Sequence, residues 1–139
     1  MDADKKLEIL VVDDTESIRE LNGAIVKGAG YKVLYAKDGE EGINLAREKN
    51  PAVILCDYEM PIKNGIEVYY ALKKIKGFED IDDRMIIISG KQKEDIYEKA
   101  QELGIEIGIT IVEKPGYVLN LEKMITERVE RYNTRHSTP

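Results

Sequence analysis

Five short apolar runs separated by longer amphipathic segments constrain this chain more than any other feature. The runs are Leu7 to Val12, Lys32 to Tyr35, Ala52 to Cys56, Met85 to Ile88 and Ile107 to Val112. They are rich in Val, Ile and Leu without strict alternation, as strands buried on both faces are. The intervening segments have a helical period. Ile18, Leu21 and Ile25 follow a capping Asp14 or Thr15 and stop at Gly28 and Gly30. Gly39 to Lys49 carries Ile43 and Ala46 on one side with Leu45 at its margin, and ends at Asn50-Pro51, where proline disfavours helix in the preceding residue. Asn64 caps a third helix bearing Ile66, Val68, Tyr69, Leu72 and Ile75, ended near Gly77. Lys91 to Leu103 offers Ile96, Ala100 and Leu103, and Tyr117 to Tyr132 offers Val118, Leu121, Ile125, Val129 and Tyr132. This alternation predicts an α/β fold, a doubly wound five-stranded parallel sheet with five helices on its two faces.

The pattern occupies residues 7–132, leaving tails at 1–6 and 133–139, with no Gly/Ser/Pro-rich linker and no internal repeat. A length of 139 residues suits one such domain. Lys and Arg number 21 against 27 Asp and Glu, and the formal charge of −6 repels phosphate backbones and anionic lipid, so neither nucleic acid nor a membrane is an expected partner. Cys56 is the single cysteine and His136 the single histidine, which excludes an intramolecular disulfide and a Cys/His zinc site within one chain. The polar N-terminus leads into an apolar stretch, Ile9 to Val12, that acid interrupts at once, so neither a signal peptide nor a membrane span is expected. These features predict a soluble, cytoplasmic protein.

In an open α/β sheet, ligands gather at the carboxyl ends of the strands. There the first run ends in Asp13-Asp14, the third in Asp57, the fourth in Ser89-Gly90 and the fifth in Lys114-Pro115. If the first and third strands are neighbours, three carboxylates converge, and each pair at ~4 Å repels by about 4 kcal/mol at an effective dielectric near 20. Lys114 and a divalent cation are the available compensators. Hard oxygen ligands with few protein carboxylates suit Mg²⁺. An aspartate is also able to attack phosphorus, and a cation, a lysine and a small hydroxyl then hold the phosphoryl oxygens.

The pieces Val11-Val12-Asp13-Asp14, Cys56-Asp57-Tyr58-Glu59-Met60-Pro61 with Asn64-Gly65, Ile88-Ser89-Gly90 and Glu113-Lys114-Pro115 resemble, in this order, a response-regulator receiver domain of bacterial two-component signalling. The resemblance covers nearly the whole chain. It implies a flavodoxin-like sheet of order 2-1-3-4-5. It implies that Asp57 accepts a phosphoryl group from a histidine kinase or phosphotransfer protein, that Asp14 and Asp57 ligate Mg²⁺ directly with Asp13 acting through water, and that the Glu59 backbone carbonyl completes the protein ligands. Ser89 corresponds to the switch hydroxyl, Lys114 to the lysine that pairs with the phosphoryl group, and Lys114-Pro115 to a cis peptide bond. A downstream protein, or a second copy forming a homodimer, would dock on the face made by the fourth long helix, fifth strand and fifth long helix, including Tyr97, Ile111 and Tyr117. The remaining length encodes no output domain, so the expectation is a stand-alone regulator acting by phosphorylation-dependent binding.

Three features depart from the family pattern or bear on it. Ile111 stands three residues before the lysine, where receivers commonly carry Tyr or Phe, so the signal is expected to pass mainly through Ser89 to Leu103. Glu59 and Lys91 flank the entrance to the acidic site, where they either pair over the phosphoryl group or stay as solvated charges. Lys76 to Arg84 reads as a charged loop away from the site. Two rival readings remain at this stage. A phosphatase or phosphotransferase with an aspartyl nucleophile shares the chemistry but would place Asp-x-Asp on the first strand beside a cap domain, whereas the sequence has Asp13-Asp14-Thr15. The other is an interaction module independent of phosphorylation.

Overall fold

The computed structural model describes residues 7–106 and 108–136. The expected tail at 1–6, the last three residues of the expected tail at 133–139, and Ile107 lie outside the described residues. Five strands, β1 (Glu8–Val12), β2 (Lys32–Ala36), β3 (Val53–Asp57), β4 (Met85–Ser89) and β5 (Thr110–Glu113), alternate with helices α1 (Glu16–Gly28), α2 (Gly39–Lys49), α3 (Gly65–Lys73), α4 (Ile81–Arg84), α5 (Lys93–Glu102) and α6 (Leu121–His136). The sheet is wholly parallel in the order β2-β1-β3-β4-β5. The expected doubly wound, flavodoxin-like architecture is present, with one short helix, α4, in addition to the five longer ones.

Side-chain direction alternates along each inner strand and divides the core in two. Leu10, Val12, Ile54, Cys56, Met85 and Ile87 join the layer beneath α2, α3 and α5, while Ile9, Val11, Val53, Leu55, Ile86 and Ile88 join the layer beneath α1 and α6. β1, β3 and β4 are therefore buried on both faces, which explains their unbroken aliphatic sequences. β2 is not, because it is an edge strand, and Tyr35 on it is 38% exposed.

Several expected boundaries shift, each for a visible reason. In α1 the buried residues are Asn22, Gly23 and Val26, whereas Leu21 is exposed. The Tyr35 ring lies where a Cβ on residue 23 would sit, and Asn22 accepts a hydrogen bond of 2.8 Å from Tyr117 Oη, so a glycine and an amide face inward. β5 starts at Thr110, later than the expected Ile107, and Ile109 is buried in the bend before it. α5 spans Lys93–Glu102, leaving Leu103 as its exposed C-terminal cap residue. The last helix opens with a 3-10 turn over Gly116–Asn120 and continues to His136, past the expected end at Tyr132. Its final turn is held from outside: Arg135 Nη2 lies 2.6 Å from Asp83 Oδ2, and His136 Nε2 lies 3.2 Å from Asp80 Oδ2.

The charged stretch from Lys76 to Arg84 folds rather than loops. Phe78 and Ile81 enter the core, and Arg84 is completely buried. Its guanidinium donates to the Gly77 carbonyl and Asp80 Oδ1, both at 3.1 Å, to Asn50 Oδ1 at 2.8 Å and to the Pro51 carbonyl at 2.5 Å. Burying this cation is tolerable because an anion and three further oxygens take over from water. The α2 and α3 starts follow their sequences: Asp38 Oδ1 accepts from the Glu41 amide at 2.8 Å, and Asn64 and Glu67 exchange side-chain and backbone bonds of 2.9 Å in a capping box.

Candidate functional site

The register of the sheet assembles the site. Val12 pairs with Cys56, so the next residues, Asp13 and Asp57, leave adjacent strands side by side on the same face. Asp57 pairs with Ile88, and Ser89 follows; Ser89 pairs with Glu113, and Lys114 follows. The β4–β5 ladder runs on past the strands through a 2.7 Å bond from the Lys114 amide to the Ser89 carbonyl. One sheet edge thus collects the carboxylates, the hydroxyl and the lysine. Gly65 lets α3 start close by: a Cβ there would lie 3.0 Å from the Asp57 carbonyl oxygen and 3.1 Å from Tyr58 Cα.

Asp13, Asp14 and Asp57 each offer an oxygen within 4.8 Å of the others, with Asp13 and Asp57 buried and Asp14 exposed. Thr15 donates its amide to Asp13 Oδ1 at 2.9 Å, and Arg19 holds the Asp13 carbonyl at 2.8 Å. Asp13 Oδ2 is buried without a hydrogen-bond partner, an arrangement that is costly unless another ligand satisfies it. Lys114 Nζ lies 2.9 Å from Asp57 Oδ1. Burial pushes the Asp57 carboxyl up to about 6, Asp13 and Glu59 add to that rise, and Lys114 opposes it. Burial likewise raises Asp13, against the Thr15 amide and Lys114. For Lys114, burial pulls the ammonium down, but its contact with Asp57 and the charges of Asp13 and Glu59 outweigh burial and raise it. The residues fit a hard divalent cation: three carboxylates meet in one partly open pocket, and one of their oxygens is buried and unsatisfied.

Ser89 is fully buried, and its hydroxyl bonds Glu59 Oε1 at 3.1 Å; the Gly90 amide donates to the same oxygen at 2.7 Å. Of the two readings of Glu59 and Lys91, a pair or two solvated charges, no pair is present among the described residues, and Lys91 Nζ sits 5.9 Å from the centroid of the Tyr58 ring. The contact of Glu59 with Ser89 and Gly90 was not expected from the sequence; Ser89-Gly90, a hydroxyl beside a glycine amide, is the signal that could have disclosed it. Ile111 is 4% exposed and packs in the core layer beneath α5. The Lys114-Pro115 peptide is cis. Cys56 is a buried free thiol, raised well above its ordinary value by burial first and then by the nearby carboxylates.

Residues 9–126 match the family described as the response regulator receiver domain. The chain belongs to this family. Among curated relatives, the receiver is 32% identical over 127 residues to a protein-glutamate methylesterase/protein-glutamine glutaminase of Methanococcus maripaludis, covering 89% of this chain and 33% of that protein. It is 33% identical to response regulator RR06 of Streptococcus pneumoniae, covering 91% of this chain and 54% of that protein. It is 30% identical to sporulation initiation phosphotransferase F of Bacillus subtilis, covering 70% and 75% respectively. The chain thus spans between a third and about half the length of the first two relatives. Among solved structures, chemotaxis protein CheY4 of Vibrio cholerae shares the fold at a TM-score of 0.74 and 24% identity, covering 88% of this chain and 98% of that one. Receiver domains are phosphoacceptors that bind Mg²⁺ in an acidic pocket and interact with histidine kinases or phosphotransfer proteins. No helix among the described residues is long and apolar enough to cross a membrane.

Proposed function

We propose that this receiver takes a phosphoryl group on Asp57 from a phosphohistidine of a kinase or phosphotransfer protein and signals in the cytoplasm through phosphorylation-dependent protein binding. The observation that carries the reading is the convergence of buried Asp57 with Asp13 and Asp14 on one side and Lys114, 2.9 Å away, on the other. Asp57 supplies the attacking carboxylate oxygen; a P–O bond forms at phosphorus as the P–N bond to the donor imidazole breaks, and the imidazole nitrogen keeps the electron pair. Lys114 balances the carboxylate before transfer and the phosphoryl oxygens after it, and the Ser89 hydroxyl is a donor for one of those oxygens. Asp13, Asp14 and Asp57, with the Glu59 backbone carbonyl, would hold Mg²⁺, which when bound neutralises charge on the transferring group.

The output surface in this reading is α5–β5–α6. A groove there is lined by Lys93, Glu113, Tyr117 and Met124 among others, and either a downstream protein or a second copy is its occupant. Because Ile111 is already buried, the change is expected to run through Ser89 and the loop into α5. Incubation with a small-molecule phosphodonor and Mg²⁺ tests the chemistry. The expected result is one phosphoryl adduct per chain by intact mass, absent from Asp57→Asn; continuous phosphodonor turnover without an adduct would point to a phosphotransferase, and no reaction at all to a phosphorylation-independent module.

A further inference from the structure

We infer that the Glu59 carboxylate is a built-in competitor of the phosphoryl group: it holds the Ser89 hydroxyl and the Gly90 amide in the resting protein and must leave before a phosphoryl oxygen takes those donors. The inference rests on reading Asp57 as the phosphoacceptor and adds a gating residue to that reaction. Its basis is that two donors converge on one oxygen, Glu59 Oε1, at 3.1 Å from Ser89 Oγ and 2.7 Å from the Gly90 nitrogen. Ser89 Oγ itself accepts the Lys91 amide at 2.9 Å. That bond occupies an acceptor site of the hydroxyl while its proton goes to Glu59. A hydroxyl and a backbone amide aimed at one charged oxygen make an anion-binding pair.

Glu59 lies two residues beyond Asp57 on the loop leaving β3, and its electrostatic contribution to raising Asp57 shows that its charge is felt there. A phosphoryl group on Asp57 would bring oxygens of the same charge toward the same donors, and one oxygen must yield. Glu59 is exposed whereas Ser89 is fully buried, so the glutamate side chain is the partner able to swing into solvent without disturbing the sheet. Lys91, the cation that would otherwise draw Glu59 away, is turned toward the Tyr58 ring. Substituting the side chain leaves the carbonyl of residue 59 in place, which separates this role from metal ligation by the backbone.

The test compares the natural chain, Glu59→Gln and Glu59→Ala, each with Ser89 and with Ser89→Ala. In metal-free, unphosphorylated protein the Gly90 amide proton should resonate downfield and move upfield in Glu59→Ala. With Mg²⁺ present, Glu59→Ala should bind beryllofluoride, an analogue of the phosphoryl group, about fivefold more tightly, as expected for removal of one charged hydrogen-bond competitor. Glu59→Gln, which keeps an acceptor but loses the charge, should fall between, and the gain should largely vanish in the Ser89→Ala background. An unmoved Gly90 proton overturns the competitor role. So does an affinity gain of equal size with and without Ser89, which would be charge repulsion alone. If the Gly90 proton responds but the natural chain binds no beryllofluoride, the phosphoacceptor reading fails, and the competitor role with it.

Discussion

Asp57 is 3% exposed, and its carboxyl sits at about 6 in the folded chain against 3.8 for the ordinary group. The folded state therefore binds more protons than the unfolded chain between those values, and stability falls as pH rises through the window. Metal-free protein should lose up to about 3 kcal/mol of stability between pH 4 and pH 7 from this group. Asp57→Asn should flatten that part of the profile and raise the denaturation midpoint at pH 7.5, which urea unfolding at a series of pH values measures; an unchanged profile would mean that Asp57 is solvated. The site residues were legible one at a time in the sequence because each ends a strand. What the sequence did not disclose was how Glu59 and Lys91 divide their partners. Two opposite charges near an entrance read equally as a pair or as solvated groups, but the exposed amide of Gly90 and the buried hydroxyl of Ser89 offer Glu59 two directed bonds, against one screened ionic contact with an exposed lysine.

At the level of elements, α4 shows where periodicity fails as a guide. A helix of four residues is too short to display a period, and Asp80, Asp82 and Asp83 give Lys76 to Arg84 the composition of a surface loop. Its place in the fold is set by Arg84, which ties α4 to the turn at Asn50-Pro51 and lies 4.6 Å from the centroid of the Phe78 ring. Asp80 is drawn toward higher values by burial, but Arg84 outweighs that and leaves its carboxyl below the ordinary value. Its stabilising contribution is therefore present at neutral pH and lost as pH falls, opposite in sign to that of Asp57. Arg84→Ala should destabilise the fold by about 3–5 kcal/mol by leaving Asp80 Oδ1 and the Gly77 and Pro51 carbonyls without the guanidinium, and Arg84→Lys should recover only part of that because one ammonium cannot reach the same set of oxygens. Chemical denaturation decides; a loss below about 1 kcal/mol would show that the cation is dispensable. The inner strands β1, β3 and β4 were the most legible elements, since burial on both faces leaves long aliphatic runs, whereas β5 began late because Gly108 and a bend precede it.

Over the whole molecule the parallel sheet sets chemistry at one edge and fastening at the other, so metal binding and global stability are linked through β1 and β3. Mg²⁺ at ten times its dissociation constant should add about 1.4 kcal/mol to the unfolding free energy. Asp14→Asn, a change at an exposed residue, should abolish that increment while leaving the metal-free stability nearly unaltered. Equal Mg²⁺ stabilisation of both proteins in thermal unfolding would place the ion elsewhere. The parallel sheet was readable from the alternation, the acidic edge from the strand ends and the strand order from the family resemblance, but the docking of α6 was not, because its anchors Arg135 and His136 pair with residues more than fifty positions away. That docking has a mechanical consequence. α6 begins beside the edge that carries Lys114 and ends against α4, and its 16 residues span about 24 Å. With its near end as pivot, a tilt of about 5° over that length would carry its far end through roughly 2 Å. The ion pairs of Arg135 with Asp80 and Asp83 act as the catch that such a movement would have to slip.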